Sequence, residues 1–278
     1  MKSCINYLRD NKTFFKIDSM KYKSYYQQCT KSMTLGTAQF GFNYGITNRA
    51  GKVNKDDAID IIKYAVSEGI EYIDTAAAYE QSENIVGQAL KETCTNNIKI
   101  ITKLPTFENK IYKDTDDVFW KNVVRSSILK SCANLQCSKI DTLMLHRANH
   151  LDNSQIIDEL LSIRKDGIIN KIGVSIQNAS ELKAALNKDF ISIIQMPFNI
   201  LDYRWDNFVD LIKDIKKKRE LIIHARSVLL QGLLCSNEKD KWNSVGINNT
   251  DEIFDFLDKK FREYDKISIS DLCIGYIN

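Results

Sequence analysis

The stretch "TLGTAQFGFNYG", residues 34–45, decides between two folds. It opens with a short strand-like run, "TLGTA" (34–38), and passes into glycines, as the first turn of a dinucleotide-binding doubly wound sheet does. That fold asks for G-x-G-x-x-G after its first strand. Here the glycines are Gly36, Gly41 and Gly45, which is the wrong spacing. The other way to arrange alternating strands and helices around a parallel sheet is a TIM barrel, and the barrel is favoured.

Outward from this stretch the alternation is regular. Apolar runs follow at "YID" (72–74), "IKIITK" (98–103), "IDTLMLH" (140–146), "KIGVS" (171–175), "ISIIQ" (191–195) and "LIIHA" (221–225). Helical patterns separate them near residues 82–92, 117–132, 154–166, 179–187 and 206–217. In "NKDDAIDIIKYAVSEG" (54–69), Asn54 is a candidate N-cap and Asp57 suits a helix N-terminus, while Ala58, Ile61, Ile62, Ala65 and Val66 trace one face up to Gly69. Seven strands, each followed by helical sequence, predict an α/β fold with a parallel sheet.

The 278 residues are 44% hydrophobic and 27% charged, an ordinary globular composition. Residues 1–32 carry seven Lys/Arg against two Asp, a net +5. With +3 for the whole chain, residues 33–278 are left at −2, so the body is not a basic nucleic-acid surface. The extension shows neither clean periodicity nor turn punctuation and is expected to be poorly ordered, with one barrel domain over 33–278. The seven cysteines contain no C-x-x-C pair and are odd in number, which argues against a disulfide framework and fits the reducing cytoplasm. No apolar run approaches the roughly 18 residues of a membrane span.

In a TIM barrel the chemistry lies at the C-terminal ends of the strands. Four polar residues fall there: Asp74 after the second strand, Tyr79 in the following loop, Lys103 ending the third, and His146 ending the fourth. Each has a plainer reading, as a turn cap, a packing aromatic, a rim lysine and a core histidine. Together they make a proton donor. A phenol is a poor acid at neutral pH, and Lys103 is expected to lower its pKa while Asp74 holds Lys103 in place. His146 would orient a substrate carbonyl and stabilise the oxyanion that develops there.

"DTAAAY" followed by "SE", then "ITK" and "LMLH", resembles the aldo-keto reductases, from about Thr34 to the C-terminus. The resemblance implies a (β/α)8 barrel with Asp74, Tyr79, Lys103 and His146 as a catalytic tetrad and Tyr79 as general acid. It also implies a small-molecule carbonyl substrate, NADP(H) in preference to NAD(H), and no metal. The matching cofactor positions are Gly36 and Thr37 in the first loop, Asp74 after the second strand, Ser175 and Gln195 at the nicotinamide carboxamide, Arg226 where an aromatic often stacks, and Ser227 and Leu229 near the pyrophosphate. Three residues depart from the family's pattern: Ile176 where asparagine often follows "GVS", Arg226 itself, and Glu80 where glycine usually follows the tyrosine. "LGTAQFGFNYGITNRAGKV" and "QMPFNILDYRW" resemble a bacterial subgroup associated with surface-polysaccharide and sugar metabolism. The resemblance places the last residues in the seventh helix, so the chain is expected to lack the eighth strand-helix unit. A cofactor-sensing binding or regulatory protein, or an inactive fragment on the same barrel, is the alternative, and the oligomeric state is left open.

Overall fold

A computed structural model describes residues 32–93, 97–107, 117–264 and 268–277. The extension expected over residues 1–32 lies outside them except for Ser32. Asn54 starts the first long helix as its position suggests, its side chain accepting the Asp57 N–H at 2.9 Å. Helix α1, Lys55–Ser67, ends before Gly69, whose φ of 92° turns the chain into the next strand. It buries Ala58, Ile59 and Ile62, with Ile61 and Val66 partly covered, close to the face traced from the sequence.

Seven parallel strands form one curled sheet in chain order: β1 (Thr34–Gly36), β2 (Tyr72–Asp74), β3 (Lys99–Lys103), β4 (Ile140–Leu145), β5 (Ile169–Ser175), β6 (Ile191–Pro197) and β7 (Ile222–Arg226). The other helices of eight residues or more among the described residues are α2 (Ser82–Thr93), α3 (Asp117–Leu135), α4 (Ser154–Lys165), α5 (Ala179–Leu186), α6 (Val209–Lys218), α7 (Thr250–Glu263) and α8 (Ile269–Ile277). Strands β3 to β6 are almost wholly buried, as expected where both faces of a parallel sheet are covered. Their outer faces join the helices in one large core.

The concave face holds a smaller cluster of Tyr72, Ile101, Met144, Ile193 and Ile222. Gly173 makes room for it, since a Cβ there would meet Met144 Cγ and Ile193 O at 2.9 Å. Above this apolar floor the inward positions turn polar.

The two edges differ from the middle. Strand β7 is only half-buried along its length, and among the described residues no pairing joins β7 to β1. Their loops meet instead. The Thr47 N–H and hydroxyl both approach the Gln231 carbonyl at 3.4 Å, Lys241 Nζ donates to Thr47 O at 3.4 Å, and Arg49 pairs with Glu238 at 2.6 Å. The β7 loop reaches this clasp through left-handed backbone at Ser227, Leu230, Gln231 and Gly232. A separate apolar cluster, Leu233, Leu234, Trp242, Leu257 and Cys273, packs that loop against α7 and α8.

Candidate active site

Strand register brings the sequence-predicted residues to one end of the sheet. Gly36 lies beside Asp74, Asp74 beside Ile101, Lys103 beside Met144, Ser175 beside Gln195, and Gln195 beside His224. Lys103, 1% exposed, donates to both Asp74 oxygens at 2.7 Å and to the Thr75 carbonyl at 2.8 Å. Those three bonds satisfy the ammonium. Its Nζ stands 5.3 Å from the centre of the Tyr79 ring, and the Tyr79 and His146 rings meet edge-on at 6.2 Å. Phe42, from the β1 loop, closes the other side of Tyr79 at 5.7 Å.

The local backbone explains how a loop residue is held this firmly. Tyr79 N–H bonds Ala76 O at 2.9 Å and Ser82 N–H bonds Tyr79 O at 2.8 Å, which ties the loop to the start of α2. Between them Glu80 takes a φ of 43°, the left-handed region that glycine enters without strain. Gly41 packs directly on the Tyr79 carbonyl, and a Cβ there would collide with it. The motif residue Ser82 sits in a buried hydroxyl cluster with Thr37 at 2.7 Å and Thr75 at 3.0 Å. Its neighbour Glu83 accepts from Thr102 at 2.7 Å and Asn134 at 3.0 Å, which pins α2 to β3 and α3. Thr37 is fully buried and its hydroxyl approaches the Asp74 carbonyl at 3.0 Å, so its side chain braces β2 from within.

Burial, followed by the charge of Asp74, pushes the Tyr79 phenol up to about 12, with Arg226 acting weakly in the other direction. This corrects the expectation that Lys103 lowers it. Lys103 is bonded to Asp74, so the cation expected to act on the phenol is accompanied by an equal negative charge. Tyr79 is therefore fully protonated at neutral pH. Burial, and then the charges of Lys103 and Arg147, push His146 down to about 4, so its imidazole is neutral.

Gln195 turns its amide into the site, with Nε2 at 3.1 Å from Asp74 Oδ1 and 3.2 Å from His224 Nδ1. Since the amide nitrogen donates to Asp74, His224 Nδ1 is placed as its second acceptor, and burial favours that neutral form. Arg226 Nη2 donates to the Ile176 carbonyl at 3.0 Å. Ser227 and Leu229 follow it, half-buried, in the loop. Buried polar atoms with no hydrogen-bond partner among the described residues include His146 Nδ1 and Arg226 Nε, and a Cβ on Gly36 would meet nothing within 4 Å. Open space and unused polar atoms at the strand ends fit a flat polar group, as the nicotinamide end of a dinucleotide is.

Residues 32–278 match the family model described as "Aldo/keto reductase family". The chain belongs to that family. An oxidoreductase of uncharacterized activity from Bacillus subtilis is 26% identical over 193 residues, 67% of this chain and 60% of that protein. Glyoxal reductase from the same organism is 29% identical over 189 residues, 66% of this chain and 63% of its own length. The chain thus spans about 60% of the length of these aldo/keto reductase relatives. Among solved structures, the glycerol dehydrogenase of Gluconobacter oxydans superposes with a TM-score of 0.66 at 23% identity, over 88% of this chain and 78% of that one. A holo-form aldo-keto reductase of Bacillus halodurans gives 0.59 at 25% identity, over 74% and 65%. These likenesses show a shared (β/α)8-type fold.

Three positioning roles were not read from the sequence. His224 was legible only as part of a strand, although the two-residue period that places Arg226 at the rim also puts His224 one layer below it. Gly41 and the Thr37–Thr75–Ser82 cluster act through packing between segments distant in sequence, which leaves no local pattern.

Proposed function

We propose that this chain reduces an aldehyde or ketone group of a small molecule to an alcohol with a reduced nicotinamide cofactor. The observation that carries this is Tyr79 held protonated between Lys103, bound to Asp74, and the neutral His146 at one strand end. Solved family members from Klebsiella pneumoniae hold NADP or NADPH, which supports a nicotinamide cofactor here. NADP(H) is the cofactor proposed. When bound, it supplies hydride to the carbonyl carbon.

The chain's own residues then deal with the oxygen. Tyr79 is the proton donor to the developing alkoxide, and its protonated state at neutral pH is the form that role needs. As charge passes to the phenolate, Arg226 is the cation that favours it, while Lys103, held by both Asp74 oxygens, fixes the floor of the site beside the ring. His146, neutral, offers one N–H to the same oxygen. Ser175, Gln195 and Arg226 would hold the nicotinamide end, with Gly36 leaving space beside them. Phe42 and Tyr44, packed edge to face with ring centres 5.9 Å apart, form one wall of the substrate space.

The test is consumption of NADPH, followed by absorbance, across a panel of aldehydes, ketones and sugars, alongside fluorescence titration of NADPH. Turnover lost in Tyr79→Phe with binding retained supports the assignment. Binding without turnover on any carbonyl identifies a cofactor-sensing protein instead.

A further inference from the structure

At the opposite end of the sheet, α3 stops in a turn built around two cysteines. Gln136 takes a left-handed φ of 53°, its N–H bonds Ala133 O at 3.2 Å, and the Cys137 N–H bonds Cys132 O at 3.0 Å. This pair of bonds is a Schellman ending. Such an ending brings two side chains together: that of the residue accepting the longer bond and that of the residue donating it. The contact is usually apolar, and here both members are thiols, neither in a disulfide, with the two side chains in hydrogen-bond contact. A disulfide needs Cα atoms about 4.4–6.8 Å apart, and a hydrogen bond spanning the turn draws its two ends toward that separation.

The turn is held from behind. Gly87 of α2 lies so close that a Cβ there would meet Asn134 O at 2.6 Å, and Asn134 is bonded to Glu83 at 3.0 Å. In front, Cys137 is half-buried and lines a cavity of about 790 Å³ together with Lys91, Lys99, Lys139 and Asp141. Cys132 lies deeper, 8% exposed. So covered a sulfur suits a small neutral oxidant better than a bulky disulfide. The hydrogen-bond contact with Cys137 holds Cys132 below the usual thiol range, while burial and then the charge of Glu83 oppose a thiolate there.

We propose that Cys132 and Cys137 form a peroxide-reactive dithiol site, in which the turn ending α3 holds the two sulfurs in position to close a disulfide. The Cys132 thiolate attacks one oxygen of hydrogen peroxide, the O–O bond breaks, and the departing hydroxide takes up a proton as water. The resulting sulfenic acid is attacked by the Cys137 sulfur, the S–O bond breaks, and the second oxygen leaves as water with the Cys137 proton. Two thiols are oxidised to one disulfide, and one peroxide is reduced to two waters. The site is separate from Tyr79 and independent of carbonyl chemistry.

Trypsin provides a direct readout, because cleavage after Lys130 and Lys139 places both cysteines in one peptide, residues 131–139. The whole chain is treated with hydrogen peroxide, quenched, alkylated and digested. The expected peptide is two hydrogens lighter, carries no alkyl group, and regains both alkylation sites after dithiothreitol. In Cys137→Ser, dimedone should trap a sulfenic acid on Cys132, and in Cys132→Ser no adduct should form on Cys137. The proposal is overturned if the wild-type peptide carries two alkyl groups while the exposed Cys235 is oxidised. It is equally overturned if either cysteine is found bridged elsewhere, or if the dimedone adduct appears on Cys137.

Discussion

Each end of strand β3 carries a lysine that meets a tyrosine and a carboxylate from β2 or the residues flanking it. At the N-terminal end Lys99 donates to the Tyr72 hydroxyl at 3.2 Å, stands 4.8 Å from that ring, and pairs with Glu71 at 3.8 Å, its side chain 44% exposed. At the C-terminal end Lys103 lies near Tyr79 and is bound to Asp74 at 2.7 Å, with 1% exposure. Both groups join a lysine, a tyrosine and a carboxylate, and the lysine-to-ring distances are alike although the inner carboxylate is closer, so composition does not separate the two. Depth does: water screens the outer group, while the inner one keeps its charges at close to full strength and holds its tyrosine protonated beside two unused polar atoms.

The largest test of this difference is chemical. Tyr79→Phe should lower kcat for carbonyl reduction by about 10²- to 10⁴-fold, the usual worth of a positioned proton donor, while Tyr72→Phe leaves it unchanged. If Tyr79→Phe keeps more than about a third of the turnover, the inner group is not the proton donor.

Next comes stability. Lys103→Met strands Asp74 at the strand end and should cost about 3–5 kcal/mol, the range for breaking a buried pair. Lys99→Met should cost no more than about 1 kcal/mol. Equal urea midpoints for the two variants would erase the contrast.

Acid sharpens it further, because, of the three histidines of the chain, His146 and His150 follow β4 and His224 lies within β7, and burial lowers the pKa of each. The folded chain therefore binds fewer protons than the unfolded one below the ordinary histidine pKa of about 6.5. Stability should be full above that value and fall as pH drops toward about 4, where His146 gains its proton in the folded chain. Each histidine contributes at most about 1.4 kcal/mol per pH unit, less for screening at the half-buried His146. A melting temperature flat from neutral pH down to the carboxylate range would contradict this, and His146→Gln should flatten the slope in part.

The smallest effect is conformational. Glu80→Gly relieves a left-handed residue next to Tyr79, but it also removes the exposed Lys52–Glu80 pair at 3.1 Å and adds freedom to the unfolded chain. The net gain should be no more than about 1 kcal/mol, with kcat unchanged. A clear loss of stability would mean that the ion pair, not the backbone, sets Glu80.

Most of the fold was legible because buried parallel strands read as apolar runs. The boundaries moved where burial stops: β5 begins at Ile169, two residues before its apolar run, since exposed Asn170 can pair without being covered. The 3-10 turn at Leu230–Cys235 and the short helix Lys239–Asn243 were not legible, because left-handed Gln231 and Gly232 are fixed by contact with Thr47, far away in sequence. Asp74, Tyr79, Lys103 and His146 were found because their types coincide with strand ends. The direction of the Tyr79 shift was missed because sequence gives neither the depth of the ring nor the pairing of Lys103 with Asp74.

The clasp between Thr47 and Gln231 joins residues 184 apart and rests on exposed bonds. A contact spanning that much chain repays its loop-closure entropy only after the intervening strands have assembled. Among the described contacts it should be one of the last to form during folding and one of the first to open in native-state fluctuations. The loops carrying Phe42 and Ser227 can therefore part for ligand exchange while the sheet beneath them stays intact.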